Sequence, residues 1–223
     1  MPKWPEETLW LAPPENGHAL LQIETAGFKW VDCVNGSDDN DGATRETAYK
    51  TFAKAHATMN YGTIFVCPGV YSNEVHESDA GKCRFAFTSG YTRAIAVEGP
   101  EKTIILGAPD PEAEADKDGC GPNAVRCVYG TANFSMQGFT LTGGYTGAAG
   151  GTVTVPNVSG CGGAAYGTGT SIFRDCIITN NHARRAAAVY GTPKCYATLY
   201  NCRISGNRTA LNDDGAVRGR RLV

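Results

Sequence analysis

The 223-residue chain carries 20 Lys and Arg against 22 Asp and Glu, so it is nearly neutral, and no basic patch or basic helix stands out. This composition argues against a nucleic-acid-binding protein. No run of residues is apolar for long enough to span a membrane, and the N-terminus lacks the basic start and apolar core of a signal peptide. The 28 glycines favour a turn-rich β protein over a helical one.

The first part of the chain predicts a loose lead-in segment at residues 1–30, with an alternating, strand-like run at 20–24. A second strand is predicted at 29–33 because apolar and polar side chains alternate there. The polar run 35–42 follows, and its residues all favour turns.

Three carboxylates, Asp38, Asp39 and Asp41, lie inside this polar run. Calcium prefers oxygen ligands supplied by short loops, so the three residues are candidate ligands for Ca²⁺. The spacing of an EF-hand and its terminal Glu are missing, which favours a structural turn. Both interpretations stay open.

Residues 46–59 predict the one helix of the chain, ending where Gly62 can adopt a left-handed cap. Its apolar stripe, at spacings of three and four, consists of Phe52, Ala55, His56 and Met59. A buried strand is predicted at 63–67, followed by a turn at Pro68-Gly69 that leads into Val70-Tyr71.

The order of these elements resembles the N-terminal segment of right-handed parallel β-helix proteins of the pectin-lyase-like superfamily. The resemblance is carried by residues 31–42, 47–51 and 62–71, and Arg45 departs from it where such segments often have Pro. It implies an all-β, right-handed parallel β-helix over residues 31–223, with the helix closing the N-terminal end. It also implies a bacterial protein that is secreted or displayed on the cell surface.

A strand-like stretch recurs at residues 137–144, 174–181 and 200–207. Its central residues, Phe139, Cys176 and Cys202, are 37 and 26 positions apart. A second recurring element ends in Tyr-Gly, and its tyrosines, Tyr129, Tyr166 and Tyr190, are 37 and 24 positions apart. Because the two features recur at nearly the same intervals, they predict a coil of about two dozen residues, with an insertion of about a dozen residues in the first interval.

Successive coils must stack, because one coil cannot bury its own apolar side chains. The predicted ladders are Phe139 over Cys176 over Cys202, Leu141 over Ile178 over Ile204, and Asn181 over Asn207. A β-propeller or a β-sandwich is disfavoured, since the hairpin and blade signatures of those folds are absent. The segments 108–123 and 145–160 are predicted to loop out of the coil, where such scaffolds carry binding sites.

The nine cysteines are odd in number and contain no CxxC pair, which argues against structural zinc. Cys176 and Cys202 are predicted to stack as neighbours, and the sequence leaves a disulfide between them open. Residues 213–217 begin a further coil, but residues 218–223 supply no polar cap. We therefore expect the coil to continue beyond the given sequence.

Three functions fit these patterns. The first is a non-catalytic surface module that binds glycans or acts as an adhesin, because residues 162–165, 178–183 and 214–217 resemble repeats of polymorphic outer-membrane proteins and related bacterial surface proteins. Another is a phage tail-spike or structural element.

The remaining function is a lyase or hydrolase of acidic polysaccharides. Lyases of the resembled superfamily use Ca²⁺ held by carboxylates and a Lys or Arg base. The candidate catalytic residues are Arg174, Asp175, Arg184 and Arg185. No lyase motif matches residue by residue, and for Asp175 a turn-bonding or solvated carboxylate is the competing interpretation.

Overall fold

The computed structural model describes residues 27–59, 61–114, 118–147, 160–192, 196–209 and 217–218. Sheet A contains, in spatial order, β1 (Gly27–Val31), β2 (Tyr61–Val66), β6 (Tyr91–Ala96), β9 (Asn133–Gln137), β12 (Ser171–Arg174) and β16 (Ala197–Tyr200). Sheet B contains β3 (Gly69–Tyr71), β7 (Thr103–Leu106), β10 (Thr140–Thr142), β13 (Ile177–Thr179) and β17 (Arg203–Ser205). Sheet C contains β4 (His76–Ser78), β5 (Gly81–Phe87), β8 (Val125–Gly130), β11 (Ala165–Gly167), β15 (Val189–Gly191) and β19 (Val217–Arg218). The short strands β14 (His182–Ala183) and β18 (Arg208–Thr209) pair with each other.

From β2 onward the chain visits sheet A, then sheet B, then sheet C, and repeats this circuit. Each circuit lays its strands beside those of the circuit before, so neighbouring strands are parallel. Among the described pairs of strands, only β4 and β5 run antiparallel. The prediction of an all-β protein built from parallel, repeating coils is therefore confirmed, and the connectivity is consistent with a solenoid-like fold.

The register of the coils follows the spacing of the repeats. Leu141 pairs with Ile178, and Ile178 pairs with Ile204. Leu141 and Ile178 are fully buried, whereas Ile204, in the last sheet-B strand described, is 37% exposed. The tyrosines align in the same way, Tyr129 with Tyr166 and Tyr166 with Tyr190. The unequal intervals in the sequence thus correspond to connections of unequal length between strands in register.

The interior of the coil is filled by stacked aromatic rings. The centroids of Phe52 and Phe85 lie 4.1 Å apart, and those of Phe87 and Phe134 lie 4.3 Å apart. Phe173 meets Phe134 edge to face at 5.8 Å. All five rings are fully buried, so they link several coils and the helix into one apolar core.

The helix α1 spans Phe52–Ala57, so the predicted start at residue 46 is wrong. Tyr49 instead pairs with the first strand, since its N–H donates to Trp30 O and its carbonyl accepts from Asp32 N. The helix begins only after the Thr51 cap, whose hydroxyl accepts from Lys54 N. The buried stripe at Phe52, Ala55 and His56 is confirmed. Gly62 lies inside β2 rather than at the helix end, where Thr58 is the cap.

Cys176 and Cys202 of the predicted ladder are not joined by a disulfide. The hydrogen bond with Cys176 lowers the pKa of Cys202 to about 7, while burial raises the pKa of Cys176. The lead-in residues 1–26, with the strand predicted at 20–24, and most of the insertion 145–160 lie outside the described residues. In the described part of the chain, no helix combines the length and apolar character needed to cross a bilayer.

We expect Ile178→Asp to unfold the coil, because it places an unpaired carboxylate at a fully buried position. The expected loss in the free energy of unfolding is about 3 kcal/mol or more. Chemical denaturation followed by circular dichroism measures it. Ile177→Asp is the matched control, since Ile177 points out of the coil and is only partly buried. Equal stability of the two variants would contradict the inward placement of Ile178.

We expect the stability of the protein to fall as the pH drops below about 6.5, the ordinary pKa of histidine. His56 Nε2 accepts a hydrogen bond from Thr88 N at 3.1 Å, and burial lowers the pKa of His56. The unfolded chain therefore binds a proton at a higher pH than the folded chain does, and acid favours unfolding. His56→Gln cannot titrate, so its denaturation midpoint should depend less on pH than that of the parent protein. Identical pH profiles would contradict this assignment.

Candidate functional site

The connections from sheet B to sheet C gather at one corner of the coil, which we call the B–C corner and define by the described residues 107–114, 118–124, 143–147, 160–164 and 180–188. Most connections from sheet A to sheet B are much shorter, although six residues, 97–102, join β6 to β7. Two residues join β9 to β10, β12 to β13, and β16 to β17. The B–C corner is therefore where the chain leaves its regular path and has freedom to form a site.

Three side chains from three successive connections meet at this corner. Asp118 comes from the first connection, Tyr145 from the second and His182 from the third. His182 Nε2 lies 3.2 Å from Asp118 Oδ2. The His182 ring also stacks on the Tyr145 ring, with centroids 5.7 Å apart and planes inclined by 7°. We call these three residues the corner cluster.

The corner cluster presents different groups to solvent. The Asp118 side chain is 73% exposed, whereas that of His182 is 11% exposed. Tyr145 is half-buried. A reachable carboxylate thus lies beside a largely fixed imidazole and one aromatic ring.

The loop that bears Asp118 is held by its own hydrogen bonds. Asp110 accepts from Asn123 N at 2.9 Å and from Glu112 N at 3.0 Å, and these bonds lower the pKa of Asp110. Gly121 N donates to Thr146 O at 3.2 Å, which ties the loop to the next connection. The insertion is therefore anchored on both sides of Asp118.

His182 is positioned by the predicted asparagine ladder, which is confirmed. Asn181 Nδ2 donates to Asn207 Oδ1 at 2.9 Å, and Asn207 Nδ2 donates to Ile178 O. Asn181 Oδ1 accepts from Gly144 N at 2.8 Å, while His182 N donates to Gly144 O at 2.7 Å. The backbone on both sides of the His182 side chain is thus fixed.

Three stacked tyrosines lie on the face of sheet C that points away from the main core, where they form a second buried cluster. The rings of Tyr129, Tyr166 and Tyr190 stack in sequence at 5.9 and 5.6 Å, nearly parallel and buried. The Arg126 guanidinium lies 5.4 Å from the Tyr166 centroid and donates to the carbonyls of Cys161 and Ala80. Complete burial lowers the pKa of Arg126. This surface is packed and gives rigidity to the strands on which the corner rests.

The catalytic candidates from the sequence fall into two separate groups. Arg184 and Arg185 lie in the B–C corner, where the backbone of Arg185 exchanges hydrogen bonds with Gly160 and Gly162. Arg174 and Asp175 lie at the A–B turn instead. The structure therefore does not bring all four together.

Asp175 and Arg174 make contacts that hold the coil. Asp175 accepts from Gln137 Nε2 at 3.1 Å and from Asn201 Nδ2 at 2.7 Å, one partner in each neighbouring coil. The Arg174 guanidinium lies 4.2 Å from the Tyr200 ring centroid. These contacts agree with the interpretation of Asp175 as a carboxylate that forms hydrogen bonds within the turn.

The acidic turn near the N-terminus makes similar local bonds. Asp38 accepts from the N–H groups of Lys50 and Thr51, at 3.0 and 2.9 Å. Asp41 accepts from the Thr47 hydroxyl at 2.7 Å, which lowers its pKa, and Asp39 N donates to Ser37 Oγ. No group of three His, Cys, Asp or Glu side chains able to hold a metal occurs among the residues that the structure describes. Calcium binding by these aspartates stays a prediction.

The sequence patterns did not indicate Asp118 or His182 as candidate site residues. The position of His182 directly after the ladder residue Asn181 is a sequence signal that its side chain lies at this corner of the coil. Asp118 lies in an acidic insertion with no period, so nothing local indicated its partner.

No protein-family model matches this chain, and comparisons with curated proteins and with solved structures each find no match. Inferences about its function therefore depend on its own residues.

We expect Asp175→Ala to destabilise the protein by about 1–3 kcal/mol more than Asp118→Ala does. Asp175→Ala loses two hydrogen bonds to a charged group, whereas the exposed Asp118 carboxylate contacts only the His182 ring among the contacts described above, and an exposed contact of this kind contributes about 1 kcal/mol or less. Both residues have φ near 50°, so the backbone cost of alanine is shared and cancels. Denaturant titration of the two variants measures the difference. A larger loss for Asp118→Ala would contradict the division into scaffold and site.

Proposed function

We propose that the chain is a right-handed parallel β-helix of the pectin-lyase-like type, secreted or displayed on the cell surface, which binds carbohydrate at the B–C corner. The β-helix assignment is supported by the circuit through three sheets of mostly parallel strands and by the resemblance of residues 31–71. Right-handedness is supported by the general rule that crossovers between parallel strands of one sheet are almost always right-handed. The helix α1 caps the N-terminal end, which fits the packing of Phe52 on Phe85.

The observation that carries the binding proposal is the corner cluster of Asp118, Tyr145 and His182. Sugars present hydroxyl groups at the ring edge and C–H groups on the ring face. An exposed carboxylate accepts hydrogen bonds from hydroxyls, and an aromatic ring packs against the C–H face. Sites of this kind combine an apolar surface with a few well-placed polar groups, and the anchored loops supply that placement.

A second candidate function, cleavage of acidic polysaccharides, is favoured by the contact between His182 and Asp118. Histidine is the side chain most often used as a general base, and a carboxylate partner holds its ring in one orientation. Arg184 and Arg185 are on the same connection as His182 and would face the carboxylate of a uronate. As a lyase, His182 would take the proton from C5 of a uronate while Asp118 orients the imidazole; the C4–O bond to the neighbouring sugar would break, a C4=C5 double bond would form, and the leaving oxygen would take a proton from water.

We expect the protein to bind a subset of sugars on a glycan array and Asp118→Asn to weaken that binding about tenfold, because a hydrogen bond to a charged group is lost. Glu101→Gln is the matched control, since Glu101 is an exposed carboxylate outside the corner. Absence of binding to any glycan, or equal loss in both variants, would contradict the binding proposal.

The same preparations, incubated with uronate polymers, distinguish binding from cleavage. Formation of unsaturated uronates, followed by their ultraviolet absorbance, would support the lyase, provided that His182→Ala abolishes it. Hydrolysis is followed by the release of reducing ends.

A further inference from the structure

The turns between sheets A and B place two cysteines next to each other. From β9 onward each turn is two residues long, and its first residue has a positive φ, 77° at Gly138, 52° at Asp175 and 50° at Asn201. Cys176 and Cys202 are the second residues of two consecutive turns. Because turns of equal length and similar conformation stack, the two cysteines occupy equivalent positions in neighbouring coils.

Backbone pairing on both sides of the turn fixes the spacing of the two cysteines. Arg174 pairs with Tyr200 before the turn, and Ile177 pairs with Arg203 after it. Arg203 N also donates to Cys176 O at 2.9 Å. Neighbouring parallel strands lie about 4.8 Å apart, and a disulfide joins Cα atoms about 4.4–6.8 Å apart. A bond between the two sulfur atoms therefore needs no large movement of the backbone.

The two side chains have the same orientation. The Cys176 sulfur lies 3.1 Å from Arg174 O. The Cys202 sulfur lies 3.3 Å from Tyr200 O, the equivalent carbonyl of the next coil, and 3.5 Å from Phe173 O in the coil of its partner. The Cys176 thiol donates a hydrogen bond to the Cys202 sulfur. The two thiols are thus in contact while both are reduced.

The two thiols differ in access and in charge. Cys176 is 1% exposed, whereas Cys202 is partly exposed and precedes the exposed residues 203–206. The hydrogen bond from Cys176 lowers the pKa of Cys202 to about 7, although burial and the Asp175 carboxylate act in the opposite direction. A large share of Cys202 is therefore thiolate at neutral pH, and the thiolate is the form that attacks oxidants.

Other cysteines of the described chain lack this combination. Cys33 is also partly exposed, but burial raises its pKa. Burial raises the pKa of Cys67 to about 11 and those of Cys83 and Cys127 to about 12. These thiols stay protonated at neutral pH, so Cys202 is the more reactive nucleophile.

We propose that Cys202 and Cys176 form an oxidation site, at which a hydroperoxide such as hydrogen peroxide oxidises Cys202 and Cys176 then closes a disulfide between the two coils. This inference does not depend on carbohydrate binding at the B–C corner. The disulfide joins consecutive coils by a covalent bond where the reduced protein has only packing and hydrogen bonds.

The oxidation takes place in two steps. First, the Cys202 thiolate attacks one oxygen of hydrogen peroxide, so that an S–O bond forms and the O–O bond breaks. The departing hydroxide takes a proton from solvent, which leaves a sulfenic acid and water. Second, the Cys176 sulfur attacks the Cys202 sulfur, the S–S bond forms and the S–O bond breaks. The departing hydroxide takes the Cys176 proton, so the thiols lose two electrons and the peroxide becomes two waters.

Limited alkylation of the reduced protein with iodoacetamide at pH 7, followed by peptide mass mapping, tests the first step. We expect Cys202 to be modified about tenfold faster than Cys33, or more, because a much larger share of it is thiolate. Cys33 and Cys120 are internal controls, since both are partly exposed as Cys202 is. Unfolding in urea should remove the difference, because the hydrogen bond from Cys176 is then lost.

Stoichiometric hydrogen peroxide, followed by peptide mapping without reductant, tests the second step. We expect one linked pair of peptides, containing Cys176 and Cys202, and the loss of two hydrogen atoms from the protein. Cys176→Ala should leave Cys202 as a sulfenic acid that dimedone traps, and Cys202→Ala should give neither product. Cys33→Ala is the matched control, since it removes a partly exposed thiol elsewhere and should form the linkage as the parent protein does.

Three results would overturn the proposal. One is alkylation of Cys33 or Cys120 in the folded protein as fast as that of Cys202. Another is peroxide-treated protein in which Cys176 remains a thiol. The third is a disulfide that joins Cys202 to a second copy of the chain. Circular dichroism verifies that each variant is folded, and should Cys176→Ala fail to fold, the peptide maps of the parent protein still decide the result.

The outcome is separate from that of the glycan experiments, because neither cysteine lies in the B–C corner. Loss of glycan binding leaves the alkylation and peroxide results unchanged. An unreactive Cys202 likewise leaves the binding proposal as it stands.

Discussion

Stacking of each residue on its counterpart in the next coil is the constraint on which the whole molecule depends. Parallel strands in register place Leu141 on Ile178 in the apolar interior and Asn181 beside Asn207 at the turn. The apolar contacts drive burial, and the asparagine amides satisfy backbone groups that a turning chain leaves open. A shift of the strand register by one residue would turn the apolar side chains outward and the polar ones inward, so the register is strongly specified.

The same constraint explains where the chain is free to differ. From β9 onward the A–B turn has only two residues, and Asp175 bonds to both neighbouring coils there. The B–C corner has no such limit, because the connection only needs to return to sheet C in register. Insertions therefore accumulate at this corner, and Asp118, Tyr145 and His182 come together although they lie in different coils.

The parts of the structure that follow from stacking could be predicted from the sequence. The intervals between repeats predicted the partners of Ile178 and of Tyr166 because like residues recur at inward and ladder positions. The start of the helix could not be predicted, since Tyr49 pairs with β1 through backbone bonds that side-chain periodicity does not reveal. The contact of Asp118 with His182 was likewise hidden, because it joins two loops without any repeat.

The side chains at the outward positions of sheet A could not be predicted for the opposite reason, since stacking does not restrict which residues occupy those positions. One row reads Phe28, Thr63, Arg93 and Ser135 in successive strands, four unlike residues at equivalent positions. Inward positions are constrained by the core, but an outward position is equally compatible with a small polar side chain. Exposed rings such as Tyr61 and Tyr91 contribute little to burial, so the coil itself gives no reason for them. Their alignment on adjacent strands is therefore not dictated by the stacking of the coils.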